Sequence, residues 1–260
     1  MAMTDSIEYA KRIQAATFPP DEVLRYLLPK HFILYKPLDI VSGDFYWLTQ
    51  KKGKILFAVA DCTGQGVPGT FMSMLGSAFL NDIVNNTSTK LKANLILNEL
   101  RDKVIMSLRQ TGAKDESRDG MDISLCILDR EKMSLQYASA YNSLYHIRDG
   151  KLTEVKADMM PIGISSEAAK TFTNHELKLQ KDDSLYLFSD GYTDQLGGER
   201  RKRFMTSRFK QLLLEIQDRI MFAQKTILDQ TINEWRGLTG MQKKKHEQID
   251  DMLVMGIKII

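Results

Sequence analysis

The sequence has few of the residues that build disulfide frameworks, histidine metal sites or highly charged surfaces. Its 260 residues include 2 cysteines and 4 histidines, and 36 Lys and Arg nearly balance 33 Asp and Glu, for a formal charge of +3. Cys62 and Cys126 cannot form a disulfide framework and lack metal-ligand spacing, so a reducing cytoplasm is the expected location. The near balance of charge excludes a nucleic-acid protein held by bulk charge alone.

Long apolar runs are also missing. No run approaches the roughly 18 residues that a membrane helix needs, and no secretory leader opens the chain, so no membrane segment is expected here. A composition of 43% hydrophobic and 27% charged residues is typical of a globular domain. With no internal repeat or low-complexity linker, we expect a short helix over residues 1–20 and one domain over residues 21–260.

Several predicted strands are apolar at nearly every position, whereas a strand with one wet face would alternate. We therefore expect sheets covered on both faces, in an α+β fold of stacked antiparallel sheets with helices outside. Such strands are predicted at residues 54–60, 123–128, 184–188 and 252–260, with further strands at 31–36, 44–49, 135–140, 144–147 and 171–179.

Apolar residues at helical spacing predict helices at residues 6–17, 67–84 and 91–108, and one or two more between 204 and 235. The consecutive prolines Pro19 and Pro20 end the first of them. The apolar stripe of that first helix has to pack either on this domain or on a partner, and the sequence leaves both open.

Aspartates stand at the ends of these buried strands. Asp61 and Asp190 directly follow two of them, Asp250 and Asp251 open a third, and Asp44 precedes an aromatic strand. Burying such charges is costly unless a counter-charge is shared, and no Lys or Arg recurs beside them. Divalent cations bound by oxygen, Mg²⁺ or Mn²⁺ in preference to Zn²⁺, would supply it. The alternative is that Asp61 caps a turn and Asp190 belongs to an ordinary strand-end turn.

A glycine-rich loop at residues 64–69 fits the G-x-G-x-x-G pattern of dinucleotide sites. Asp61 would repel a pyrophosphate there, and the next helix is followed by another helix instead of the strand that carries a ribose-binding acid. Nucleotide binding is therefore disfavoured. The chain also has no G-x-S-x-G or H-E-x-x-H motif, so a covalent nucleophile is not indicated.

Four motifs in order resemble the metal-dependent protein phosphatases (PPM, type 2C), in their bacterial sporulation-phosphatase or SpoIIE-like branch. They are residues 42–46 (SGDFY), 61–69 (DCTGQGVPG), 188–194 (FSDGYTD) and 250–252 (DDM). The resemblance covers about residues 32–260. It implies an α-β-β-α sandwich with a binuclear Mn²⁺ or Mg²⁺ centre at one end of the sheets.

The resemblance also implies roles for individual residues. Asp61 would bridge the two metals, and the backbone carbonyl of Cys62 would bind one of them. Asp44 would ligate one metal directly or through water, and Asp190 and Asp250 would hold the other.

Other positions carry weaker implications or depart from the pattern. Asp194 and Asp119 are candidates for a third, looser metal site, and Lys36 is a candidate for phosphate contact. The branch commonly has histidine where this chain has Gln65, and an acid where it has Trp47. Neither position is an implied metal ligand, and all four implied ligand positions are aspartate, which argues against an inactive relative.

By resemblance, we expect a protein serine/threonine phosphatase in which water bound between two metals attacks the phosphoryl group. The implied substrate is a regulatory phosphoprotein, often a phosphoserine-bearing antagonist of an anti-sigma factor. An upstream sensor or regulatory partner would act through the first helix, and a homodimer stays open. The non-enzyme alternative is a phosphoprotein-binding module of the same fold with little or no turnover.

Overall fold

Two five-stranded antiparallel sheets stack face to face in the computed structural model, which describes residues 2–88, 90–113, 118–166, 170–238 and 245–260. The strands are β1 (His31–Lys36), β2 (Phe45–Lys51), β3 (Lys54–Cys62), β4 (Met121–Asp129), β5 (Ser134–Ala140), β6 (Leu144–Arg148), β7 (Lys151–Val155), β8 (His175–Lys178), β9 (Ser184–Phe188), β10 (Leu196–Gly197), β11 (Lys202–Arg203) and β12 (Met252–Lys258). One sheet has the order β1-β12-β9-β6-β7, the other β2-β3-β4-β5-β8, and β10 and β11 form a separate hairpin.

Helices cover the outer faces of both sheets. The helices are α1 (Ala2–Thr17), α2 (Asp21–Leu27), α3 (Gly66–Asn86), α4 (Ala93–Ser107), α5 (Gly191–Asp194), α6 (Thr206–Ile216) and α7 (Met221–Trp235). α3 and α4 pack on the sheet that contains β3, and α6 and α7 pack on the sheet that contains β12. The result is the expected α-β-β-α sandwich. Across the described ranges, no helix combines the length and apolar character needed to cross a bilayer.

Three apolar layers explain why the central strands do not alternate. On β3, Ile55 and Phe57 point into the core between the sheets, while Leu56 and Ala58 point into the core beneath α3 and α4. A third core lies between the other sheet and α6 and α7. Each central strand therefore has an apolar environment on both faces, which confirms the reading of continuous apolar strands as covered on both sides.

The elements that the sequence did not predict are short or lie at the edge of a sheet. The strand expected over residues 171–179 is reduced to β8. The Asp149-Gly150 turn forms a hairpin, as its sequence indicates, but the strand that follows it is β7, which was not predicted. β7 is a half-exposed edge strand, so it lacks the apolar pattern of the central strands. The short α2, α5 and β10–β11 elements were also missed, and residues 204–235 divide into α6 and α7.

An ion pair between Arg148 and the buried carboxylate of Asp183 holds the residue that directly precedes β9. Asp183 is 1% exposed and accepts hydrogen bonds from Arg148 Nε (2.8 Å), Arg148 Nη2 (2.6 Å) and the backbone N–H of Gln180 (2.8 Å), with His146 Nε2 3.0 Å away. Burial acts to raise the pKa of Asp183, but the hydrogen bonds from Arg148, Gln180 and His146 outweigh it, and the pKa is lowered.

We predict that Asp183→Asn lowers the free energy of unfolding at neutral pH by about 1–3 kcal/mol, because it replaces a buried charged acceptor with an amide that satisfies fewer of the donors from Arg148 and Gln180. A carboxylate with a lowered folded-state pKa stabilises above its unfolded pKa, and that stability is lost as the pH falls through the folded value. The difference between wild type and variant should therefore shrink below about pH 4. Denaturant unfolding at a series of pH values measures it, and a difference that stays constant into acid would contradict the prediction.

Candidate metal centre

The aspartates predicted from the strand ends meet at one end of the stacked sheets. Asp61 lies on β3 directly opposite Asp122 on β4, Asp190 follows β9, and Asp250 precedes β12. These strands come from both sheets, so the two halves of the sandwich contribute to one cleft of about 290 Å³. The described residues that line it are Asp61, Cys62, Thr63, Gly64, Gln65, Asp122, Asp190, Asp250 and Asp251.

The carboxylates of this cleft raise each other's pKa values. Burial raises the pKa of Asp61 to about 8, with further contributions from Asp190, Asp250 and Asp122. Burial and the charge of Asp190 raise the pKa of Asp122 to about 7. Burial also raises the pKa of Asp190 and of Asp250, and the charges of Asp250 and Asp194 add to the shift of Asp190. No Lys or Arg is among the described residues lining the cleft, so these charges lack a protein counter-charge there.

Asp122 was missed in the sequence, although a signal for it was present. It stands directly before residues 123–128, a strand whose continuous apolar character was recognised. Asp61 and Asp190 were selected because they follow such strands and Asp250 because it precedes one, and the same rule applied to Asp122 would have found it. Its pairing with Asp61 across β3 and β4 then places it in the cleft.

Asp44 lies behind the cleft and does not line it. Its side chain is 1% exposed, and one carboxylate oxygen accepts a hydrogen bond from Ser189 Oγ at 2.5 Å. Burial and the charge of Asp61 raise the pKa of Asp44 well above its usual value, although the Ser189 hydrogen bond opposes this. Asp44 is thus electrostatically coupled to the cleft from the interior.

Gln65 provides a direct contact to one predicted ligand. Its Nε2 donates to Asp250 Oδ1 at 3.3 Å and to the carbonyl of Ile249 at 3.1 Å. The histidine common at this position could titrate near neutral pH, whereas this amide cannot. Gln65 therefore orients Asp250 without adding a titratable group.

The remaining predicted residues lie outside the cleft lining. Asp194 pairs with Arg203 on β11 at 2.8 Å, and Asp119 accepts a hydrogen bond from Thr63 at 3.3 Å. Lys36 binds Asp229 and Asn233 on α7, so its ammonium group would have to leave both before contacting a phosphate.

Trp47, which stands where the branch commonly has an acid, has a packing role in this structure. Trp47 is buried on β2, and its indole N–H donates to Asn81 Oδ1 of α3 at 2.9 Å. The indole therefore links α3 to the sheet beneath it. This arrangement satisfies the buried N–H without involving the cleft.

The glycine-rich loop serves close packing. Gly64 and Gly66 have φ values of +89° and +61°, which favour glycine, and a Cβ on Gly69 would lie 2.1 Å from the Gly64 carbonyl oxygen. A Cβ on Gly43 would lie 2.9 Å from that same oxygen and 3.0 Å from the carbonyl oxygen of Cys62. The glycines thus let the start of α3 and the loop before Asp44 approach each other.

The donor set fits Mg²⁺ or Mn²⁺ in its chemistry, since it consists of carboxylate oxygens with an uncompensated charge. Within the described ranges, however, no group of three or more His, Cys, Asp or Glu side chains is arranged to hold a metal ion as it stands.

A model of a known protein family matches most of this chain. The sequence model of the family described as Stage II sporulation protein E (SpoIIE) matches residues 51–260. The chain belongs to the SpoIIE family. PPM phosphatases, which include this family, are generally metal-dependent. Asp61, Asp122, Asp190 and Asp250 fall within the matched residues, whereas Asp44 precedes them.

Solved structures of SpoIIE-family and other PPM domains share the fold. The SiaA-PP2C domain of Pseudomonas aeruginosa is 31% identical with a TM-score of 0.86, covering 100% of this chain and 98% of that chain. The SpoIIE structure from Bacillus subtilis, a PP2C phosphatase domain with a fragment of the regulatory domain, is 17% identical with a TM-score of 0.67, covering 88% and 63%.

A more distant structure shows the same fold. The PPM Ser-Thr phosphatase MsPP from Mycobacterium smegmatis, in complex with cacodylate, is 12% identical with a TM-score of 0.60, covering 90% of this chain and 99% of that one. No curated protein sequence matches this chain.

We predict that the metal-free protein loses stability as the pH rises from about 4 to about 8, since Asp61 and Asp122 have raised pKa values and bind protons more tightly when folded. Between about pH 6 and pH 8.5 the loss should be on the order of 2 kcal/mol, measured by denaturant unfolding in chelator. Asp61→Asn should flatten this slope, and Asp102→Asn, on the exposed face of α4, is the control. A slope unchanged in Asp61→Asn would refute the assignment.

Proposed function

We propose that this protein is a metal-dependent protein serine/threonine phosphatase. The observation that carries the proposal is a cleft in which Asp61, Asp122, Asp190 and Asp250 face one another without a protein cation. Clustered carboxylates without a counter-charge cost free energy, so such a cluster is disfavoured unless a ligand neutralises it. Membership of the SpoIIE family and the phosphatase-domain fold support the same conclusion.

Asp61, Asp190 and Asp250 would hold two Mn²⁺ or Mg²⁺ ions, with Asp44 contributing directly or through water and the Cys62 carbonyl as a further ligand. When bound, the ions would supply an activated water and neutralise phosphoryl oxygens. Asp122, next to Asp61, adds a carboxylate to the same cleft.

The chain's own residues favour direct attack by water over a covalent intermediate. The Cys62 side chain is buried, and burial raises the pKa of its thiol well above the usual value, so the thiolate is disfavoured. The Thr63 hydroxyl accepts from the Gly120 N–H at 3.0 Å and contacts Asp119. Among the described cleft residues, none pairs a hydroxyl or thiol with a histidine base.

We predict Mn²⁺-dependent hydrolysis of a phosphoserine peptide that EDTA abolishes. Asp61→Ala or Asp190→Asn should lower kcat/KM by at least about 1,000-fold, because each removes a carboxylate on which metal activation depends. Phosphate release measured with and without Mn²⁺ tests this. Asp102→Asn, on the exposed face of α4, is the control and should retain activity. Robust turnover in excess chelator would rule out the proposed mechanism.

The same assays separate catalysis from binding alone. A purified protein that binds Mn²⁺ by calorimetry yet hydrolyses neither a phosphopeptide nor an aryl phosphate would support a phosphoprotein-binding module. The carboxylates of the cleft favour the enzyme, since a module that only recognises phosphate would gain more from Arg or Lys.

A regulatory phosphoprotein, such as a phosphoserine-bearing antagonist of an anti-sigma factor, is the substrate that the family resemblance favours. Three further parts of this proposal rest on the family resemblance. They are a third metal site at Asp194 and Asp119, an upstream sensor, and a homodimer. The cytoplasm is the compartment in which such a substrate would be met.

Control through α1 is supported by a buried contact. Gln14, 3% exposed, donates to the Ser42 carbonyl at 2.6 Å and to Ser73 Oγ at 3.0 Å, and its Oε1 accepts from the Ser42 N–H at 3.2 Å. Ser42 stands two residues before Asp44. A displacement of α1 would therefore reach a proposed metal ligand through a single hydrogen-bonded residue.

We predict that Gln14→Ala lowers kcat about tenfold or more, because the loss of the amide leaves the Ser42 N–H without its acceptor and removes the shortest hydrogen bond to the Ser42 carbonyl, at a cost of about 1–3 kcal/mol. Lys11→Ala, on the exposed face of α1, is the matched control and should leave kcat unchanged. Steady-state kinetics at saturating Mn²⁺ measure the effect. Equal activity of the two variants would contradict coupling through Gln14.

A further inference from the structure

Asp251 differs from its neighbours in the cleft because both its carboxylate oxygens are already bound by backbone groups. Its Oδ1 accepts from the Leu38 N–H at 2.7 Å and its Oδ2 from the Gly43 N–H at 2.8 Å. The side chain is 4% exposed, and more than 200 residues separate it from both donors. One carboxylate therefore closes the segment from Leu38 to Gly43 onto the start of β12.

The closed segment ends at Asp44. The Asp44 N–H donates to Ser42 Oγ at 3.0 Å, and Ser189 Oγ donates to the Asp44 carboxylate while accepting from the Leu253 N–H at 3.0 Å. Two separate hydrogen-bonded contacts therefore fix Asp44 relative to the strands next to Asp190 and Asp250. Ser189 binds the carboxylate of Asp44, and Asp251 binds the backbone that precedes it.

We propose that Asp251 is a positioning residue that holds the 38–43 segment so that Asp44 stays beside the metal cleft, and that it is not itself a metal ligand. This inference rests on the proposed function, in which Asp44 contributes to metal binding. Two acceptor oxygens are needed because two N–H groups converge on the side chain, and carboxylates accept such bonds more strongly than neutral groups do.

The same geometry argues against Asp251 as a ligand. An oxygen that accepts a short hydrogen bond keeps further lone-pair capacity, but rotating the side chain toward a metal would release two buried N–H groups at once. Asp250, which precedes it, receives the Asp251 N–H and the Gln65 amide on the same oxygen and keeps its second oxygen for the cleft. The two neighbouring aspartates therefore divide the tasks of positioning and binding.

Hydrogen–deuterium exchange of the metal-free protein tests the positioning role directly. In Asp251→Ala, the amides of Leu38 and Gly43 should exchange at least tenfold faster than in wild type. Asp183→Ala is the control, since it removes a buried, hydrogen-bonded carboxylate at the opposite end of β9 and should leave those two amides unaffected relative to global unfolding. Unchanged protection of Leu38 and Gly43 in Asp251→Ala would overturn the proposal.

Calorimetric Mn²⁺ titration supplies the second readout. Wild type should bind two ions per chain, and Asp251→Ala should weaken one of the two at least tenfold while the other is retained. Asp251→Asn, which keeps one acceptor oxygen, should fall between them and covers the case in which the alanine variant does not fold.

The combined results separate the possible failures. Weakened Mn²⁺ binding with unchanged amide protection would make Asp251 a ligand and overturn the positioning role. Faster amide exchange with both ions bound as in wild type would also overturn it, because Asp44 would then not depend on the segment. Absence of Mn²⁺ binding by wild type would instead refute the proposed function, and the positioning role with it.

Discussion

Electrostatic repulsion among the carboxylates clustered in one cleft is the constraint on which the rest of this structure depends. Asp61 and Asp122 face each other across β3 and β4, and Asp190 and Asp250 approach from the other sheet. Desolvation and mutual repulsion raise the pKa values of Asp61 and Asp122, so negative charge in this cleft is costly without a cation. A fold held together by weaker packing would relieve this repulsion by separating its sheets.

The core between the sheets provides the opposing stabilisation. Apolar residues from both faces of β3, β9 and β12 interlock in three layers, so the strands that end on aspartate cannot move apart without exposing them. At the other end of β9, Asp183 is in the opposite electrostatic environment, because it pairs with Arg148. There the carboxylate has a cation of its own, and its pKa is lowered instead of raised.

Hydrogen bonds to the 38–44 segment then determine how precisely the cleft is built. Gln14 from α1, Ser189 from the end of β9 and Asp251 from the start of β12 each bind one part of it. Because these residues come from distant parts of the chain, the position of the segment depends on how α1 and the two sheets pack against one another. This arrangement connects the proposed catalytic cleft to a helix on the surface.

The amino-acid sequence by itself determined the layers and most of the aspartates that the structure brings to the cleft. Continuous apolar strands require two covered faces, and an aspartate at their ends requires a counter-charge, so Asp61, Asp190 and Asp250 could be predicted from pattern. Asp122 carried the same signal and was overlooked. The roles of Gln14, Ser189 and Asp251 were decided only by the tertiary structure, because hydrogen bonds to backbone groups up to 213 residues away leave no periodic trace in a sequence.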